Sequence, residues 1–157
     1  MTNYKTLAVK LFIVSLVAVG GWFSGNITVA ATRSIDKRVF WQTTDTPTER
    51  GQYGSFTYPS SSYLAKRGVD GKPFTKMVGC IAGDYLSFVG GAFYCNDELL
   101  ARPLVADRLD EKLPVFRYEG VIPEGKAFMV GSHPYSGDSR YLGFVDVETV
   151  KRVIPLW

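Results

Sequence analysis

Phe74-Thr75-Lys76-Met77-Val78-Gly79-Cys80-Ile81-Ala82-Gly83-Asp84-Tyr85-Leu86-Ser87-Phe88-Val89-Gly90-Gly91-Ala92-Phe93-Tyr94-Cys95 is the stretch that decides the fold. Aromatic and β-branched residues fill it, and glycines punctuate it. It reads as three strands, Phe74–Ile81, Tyr85–Val89 and Ala92–Cys95, with Gly90-Gly91 as a two-residue hairpin turn. The same pattern continues outward on both sides. Further strands are predicted over Tyr53–Tyr58, Ala127–Gly131, Tyr141–Val145 and Arg152–Leu156. Pro123-Glu124-Gly125 reads as a turn, Ser60-Ser61-Ser62 as an exposed loop, and Asp146 as the cap of one short helix through Val150. Long amphipathic helices are absent from this part, so a mainly antiparallel β domain is expected.

The N-terminal segment is of another kind. From Leu11 to Thr32 there is no charged residue. As a helix this run would extend about 33 Å, against a hydrocarbon core of about 30 Å. Lys5 and Lys10 precede it, and Trp22 stands near its far end as an interfacial anchor would. A single transmembrane anchor is therefore expected over residues 1–31, with the functional domain over 32–157. The competing reading is a cleaved signal peptide, for which Val29-Ala30-Ala31 offers small residues.

Composition narrows the function. With 46% apolar and 21% charged residues, a packed core is expected and disorder is not. The 18 basic side chains barely exceed the 15 acidic ones, which argues against a nucleic-acid partner. His133 is the single histidine. Imidazole metal sites are thus unfavoured, and neither a metal nor a cofactor is expected. Cys80 and Cys95 read equally as a disulfide or as two free buried thiols. In a flat hairpin Cys95 faces Leu86, which leaves Cys80 a further strand away, about 9–10 Å. A disulfide would need a bend near Gly83-Asp84.

Because histidine is so scarce, lysine is the remaining base for a hydroxyl nucleophile. Such a lysine must be neutral, which calls for a pKa about 3 units below the free value. Most lysines here sit in charged runs. Lys76 lies among Phe74, Thr75, Met77 and Val78. It reads either as a buried base or as a strand lysine with its amine in solvent.

Three segments together resemble the type I signal peptidases, and most of all their TraF branch from conjugative plasmids. The first is Thr32-Arg33-Ser34-Ile35 with Val39-Phe40-Trp41, just after the apolar run. The second is Lys76-Met77-Val78-Gly79-Cys80-Ile81-Ala82-Gly83-Asp84, which is similar to the family's lysine strand. The third and most specific is Val130-Gly131-Ser132-His133-Pro134-Tyr135-Ser136-Gly137-Asp138-Ser139-Arg140-Tyr141-Leu142-Gly143. No proline follows Ser34, and Leu142 stands where the family usually has tryptophan.

The resemblance implies a signal-peptidase-like domain of coiled antiparallel sheets behind one N-terminal transmembrane helix. It implies Ser34 as nucleophile and Lys76 as general base. It also implies Thr32 and the Ser34 N–H as oxyanion donors, Ser136 bonded to the Lys76 amine, and Asp138 with Arg140 as a structural ion pair. The implied function is a serine–lysine endopeptidase of the bacterial inner membrane, single-pass, with its catalytic domain in the periplasm. Its partner would be a pilin precursor of a conjugative transfer system, processed and joined end to end through an acyl-enzyme. The alternatives are a general signal peptidase that removes leader peptides and an inactive pilus-assembly protein.

Overall fold

The structure is a computed structural model that describes residues 4–30, 32–106 and 112–157. Helix α1 (Tyr4–Gly25) leads into strands β1 (Ile27–Val29), β2 (Val39–Gln42) and β3 (Tyr53–Phe56). Helix α2 (Ser62–Lys66) precedes β4 (Phe74–Ile81), β5 (Tyr85–Val89), β6 (Ala92–Cys95), β7 (Glu98–Ala101), β8 (Gly120–Val121) and β9 (Lys126–Val130). Helix α3 (Ser139–Leu142), β10 (Val145–Asp146) and β11 (Lys151–Pro155) complete the chain. The strands form a seven-stranded sheet, β1-β2-β11-β3-β4-β9-β10, and a four-stranded one, β7-β6-β5-β8. Every pairing between them is antiparallel. The domain is therefore mainly β, as expected.

The central strands β4, β5 and β6 have the limits their sequence predicts. Gly90 and Gly91 take φ of 59° and 76°, the left-handed pair that a tight hairpin needs, and Val89 faces Ala92 across it. Asn96 and Asp97 make a second such turn, with φ of 48° and 66°, and so begin β7.

Cys80 and Cys95 form a disulfide, with Cα atoms 5.7 Å apart, so the free-thiol reading is excluded. Cys95 does face Leu86. The flat-hairpin distance fails because the chain folds over at Ala82–Asp84. Asp84 N–H donates to Ile81 O at 2.9 Å, and Asp84 Oδ2 accepts from Ile81 N–H at 2.9 Å. The bend lays the small sheet over the large one. Cys80, Leu86, Phe93, Cys95, Ile122, Phe128 and Val130 then share one core between them. A second core, with Phe56, Leu64, Val78, Met129 and Val150, fills the space around β3, β4 and β9.

Four expectations are corrected. The run Tyr141–Val145 is not a strand. Asp138 caps a short helix by accepting from Arg140 N–H, and only Val145–Asp146 extends beyond it. Asp146 makes no side-chain cap; its carboxylate pairs with Lys126, and Val147–Thr149 is a single 3₁₀ turn. The serine run is not all loop, since Ser61 Oγ accepts from Leu64 N–H at 3.2 Å and caps α2.

The uncharged N-terminal run is not all helix either. Asn26 Nδ2 donates to Trp22 O at 2.8 Å where α1 ends, and Ile27–Val29 pairs with β2. Ile27–Val29 is thus the edge strand of the large sheet. Among the described residues no helix is long and apolar enough to cross a membrane. From Leu7 to Val19 the apolar side chains of α1 are nevertheless exposed to solvent.

Candidate active site

Lys76 occupies the third position of β4, paired with Gly54 of β3. A Cβ on Gly54 would stand 2.3 Å from Val150, so only glycine lets β3 lie flat beside this part of the core. Strand alternation turns Lys76 toward the loop that follows β1, and its side chain is 2% exposed. Ser34 lies on that loop. Its Oγ is 2.6 Å from Lys76 Nζ, and Thr32 Oγ1 donates to the same oxygen at 3.1 Å. Three residues that the sequence marks as candidates therefore meet at one hydroxyl.

The loop is held from behind by the segment Gly131–Asp138. His133 N–H donates to Ser34 O at 3.3 Å. A Cβ on Gly131 would lie 2.3 Å from Ser34 O and 2.2 Å from Ser136 Oγ, so this close approach needs glycine. Gly131 N–H donates to Asp138 Oδ2 at 2.8 Å. The expected Asp138–Arg140 pair is present and fully buried. Arg140 Nε reaches Asp138 Oδ1 at 2.8 Å, and Arg140 Nη2 reaches Asp138 Oδ2 at 2.8 Å. The guanidinium also donates to the carbonyls of Arg102, His133 and Ser136.

Ser136 departs from its expected role. It lies in the same cleft, but its buried Oγ has no hydrogen-bond partner among the described residues, and so it does not bond the Lys76 amine. The sequence did not single out Gly131 or Ser139. Ser139 Oγ accepts from Met129 N–H at 2.9 Å and bonds the Tyr58 hydroxyl at 3.2 Å, fixing α3 to β9. Its place between Asp138 and Arg140 was the available signal.

Burial sets the electrostatics. Loss of hydration lowers the Lys76 pKa to about 8; Asp138 pulls it upward, and Arg140 pushes it down. The Phe74 ring lies 5.6 Å from the amine and is part of that dry surrounding. The cleft in front of Ser34 and Lys76 has a volume of about 690 Å³ and is walled by apolar groups such as Val29, Ala30, Val69, Phe74 and Leu104. A neutral amine touching a hydroxyl at the end of such a groove can take its proton. The one cluster among the described residues with metal-ligand spacing is Cys80, Asp84 and Cys95, whose sulfurs are already bonded to each other.

A family model described as signal peptidase, peptidase S26, matches residues 4–156. The chain belongs to the signal peptidase S26 family. No curated protein matches it. Among solved structures, it is similar to the crystal structure of a signal peptidase I from Enterococcus faecalis V583. The two are 22% identical, with a TM-score of 0.45 over 71% of this chain and 99% of the other. As an S26 member the protein is a serine peptidase whose family acts on exported precursor proteins.

Proposed function

We propose that this S26 peptidase cleaves by acyl transfer, with Ser34 as nucleophile and Lys76 as its base. The observation that carries this reading is the 2.6 Å contact between Ser34 Oγ and an amine whose burial lowers its pKa to about 8. Ser34 Oγ attacks the scissile carbonyl carbon while its proton passes to Lys76 Nζ. The carbonyl oxygen becomes an oxyanion, for which the Ser34 N–H and the Thr32 hydroxyl are the donors. Collapse breaks the C–N bond, and the Lys76 proton goes to the departing amine. An ester on Ser34 remains, and water or another amine then attacks it. Asp138 and Arg140 take no part in these steps; they hold the Gly131–Ser136 wall against the Ser34 loop.

The substrate in this reading is the pilin precursor of a conjugative transfer system, consistent with the resemblance to the TraF branch. In this reading the enzyme sits in the bacterial inner membrane, single-pass, with the β domain on the periplasmic side, although no described helix is by itself long and apolar enough to cross. The exposed apolar flank of α1 and the Cys80–Cys95 disulfide support that placement, since such a bond persists in an oxidising compartment. Within an apolar cleft beside the bilayer, the precursor's own N-terminal amine, held near the ester, competes with water and closes the chain into a ring. Family membership by itself favours the other reading, a general signal peptidase that leaves linear products.

Acylation by a penem inhibitor tests the nucleophile. Adduct formation at Ser34 in the parent chain, and none in Ser34→Ala, is expected. Mass spectrometry of the mature pilin separates the two substrates' fates. A product one water lighter than the trimmed chain, without a free N-terminus, is expected; a linear product with both termini would leave a plain endopeptidase.

A further inference from the structure

The charges along the cleft are one-sided in a chain whose total is only +3. Among the described lining residues Arg33, Arg67, Lys72 and Lys76 are cationic, and none is Asp or Glu. Lys76 is committed to Ser34. Arg67 has interactions of its own, which leaves Arg33 and Lys72. Both are exposed at the cleft. Arg33 precedes Ser34 on the nucleophile's loop, and Lys72 lies four positions before Lys76, where the chain enters β4. The two cations thus stand on the two segments that carry the dyad.

Among the described residues, three acids close to the cleft in sequence have partners elsewhere. Asp36 accepts from the Tyr53 hydroxyl at 3.1 Å, Asp70 from Ser60 Oγ and Ser61 N–H, and Asp138 from Arg140. A mainly apolar groove lined by cations on the two segments that carry the dyad is complementary to an extended peptide that carries negative charge. Four residues of extended chain cover about 13 Å, so charge at Lys72 bears on a substrate position a few residues from the cut. Arg33 bears on positions next to it.

We propose that the cleft selects precursors carrying a carboxylate within about four residues of the scissile bond, paired with Arg33 or Lys72. That carboxylate is either an Asp or Glu side chain or the precursor's own C-terminus. This inference rests on the Ser34–Lys76 reading and adds the charge of the substrate to it.

The test uses the full chain in detergent micelles and a set of short peptides. The set places Asp or Glu, their amides, or Lys at each position around the cut, every peptide being made both as the C-terminal acid and as the C-terminal amide. Cuts are mapped and timed by mass spectrometry. Acidic members are expected to be cleaved about fivefold faster than their amide counterparts for each cation engaged, the upper range of an exposed ion pair. Added salt should shrink that ratio. Lys72→Glu and Arg33→Glu are expected to abolish the preference and to speed cleavage of the Lys peptides, a gain that an unfolded variant cannot show.

The acid and amide termini tell which carboxylate is read. Equal cleavage of acidic and amide peptides overturns the proposal, and so does a preference that survives both charge reversals. Penem acylation of the parent chain is run alongside. If it fails, the dyad reading has failed; if it succeeds while no peptide is cut, the carboxylate proposal is the one lost.

Discussion

Lys76 and Arg140 are both cations at 2% exposure, within one small region, and the fold treats them in opposite ways. Arg140 is surrounded by acceptors: both oxygens of Asp138 and the carbonyls of Arg102, His133 and Ser136. Its charge is compensated, and its pKa is raised by Asp138 against the opposing effect of burial. Among the described residues Lys76 has no carboxylate hydrogen bond, only the Ser34 hydroxyl, and burial drives its pKa down. Equal burial therefore gives a permanent charge in one case and a titrating base in the other. What separates them is whether the fold supplies a counter-ion within bonding distance. Asp138 serves both, because it bonds Arg140 directly and acts on Lys76 only through space.

Removing each cation's function should break this comparison in opposite directions. Lys76→Met and Ser34→Ala are each expected to lower kcat/KM on the precursor by about ten-thousandfold or more, and the double variant by no more than either single one. A precursor-cleavage assay reads this; additive losses would mean that the two residues do not act as a unit. Lys76→Met should at the same time stabilise the fold. A fall from 10.5 to about 8 corresponds to about 3 kcal/mol at pH 7, which the buried amine costs and methionine does not. Denaturant unfolding of the two chains at pH 7 measures it.

Asp138→Asn is the converse. It leaves Arg140 buried without its counter-ion and replaces the charged acceptor of Gly131 N–H by a neutral amide. A loss of about 3–5 kcal/mol of stability is expected, with activity falling in step with the folded fraction. Unfolding midpoints that match the parent chain would show that the carbonyls alone compensate Arg140.

The contrast also marks where sequence reading ends. Central strands β4 to β6 were legible because Gly90-Gly91 fixes the turn and alternation fixes the faces. The short strands β1, β7 and β8, of two to four residues, carry too little alternation to stand out. In α3 the β-forming Tyr141 and its neighbours favour a strand locally, and the Asp138 cap overrides them. As for the site, Lys76 was distinctive by its apolar neighbours, but a strand lysine reaching solvent fits the same letters. Burial follows only when the Ser34 loop, backed by the segment Gly131–Asp138, folds against β4. The family resemblance makes Ser136 the partner of Lys76, yet among the described residues its hydroxyl has no hydrogen-bond partner. The disulfide needed the third dimension as well, since the bend at Ala82–Asp84 stacks the two sheets.

The smallest of these effects is the one that reads the base most directly. With a pKa of about 8, Lys76 is about one-tenth neutral at pH 7 and about nine-tenths neutral at pH 9, so kcat/KM is expected to climb about tenfold and then level off. Stability should move in the same direction in a higher window. The folded pKa lies below the free value of 10.5, so between about 8 and 10.5 the unfolded chain holds a proton that the folded chain lacks. Folding is then favoured as pH rises through that window, and below it the full cost of the buried charge is present. Lys76→Met removes both slopes. Asp138→Asn, which takes away the charge that raises Lys76, should shift the midpoint of the activity profile toward acid in whatever fraction stays folded. A profile that is flat from pH 7 to 9 in the parent chain would show that deprotonation of Lys76 does not limit the reaction. A midpoint unmoved in Asp138→Asn would show instead that the carboxylate acts on Arg140 alone.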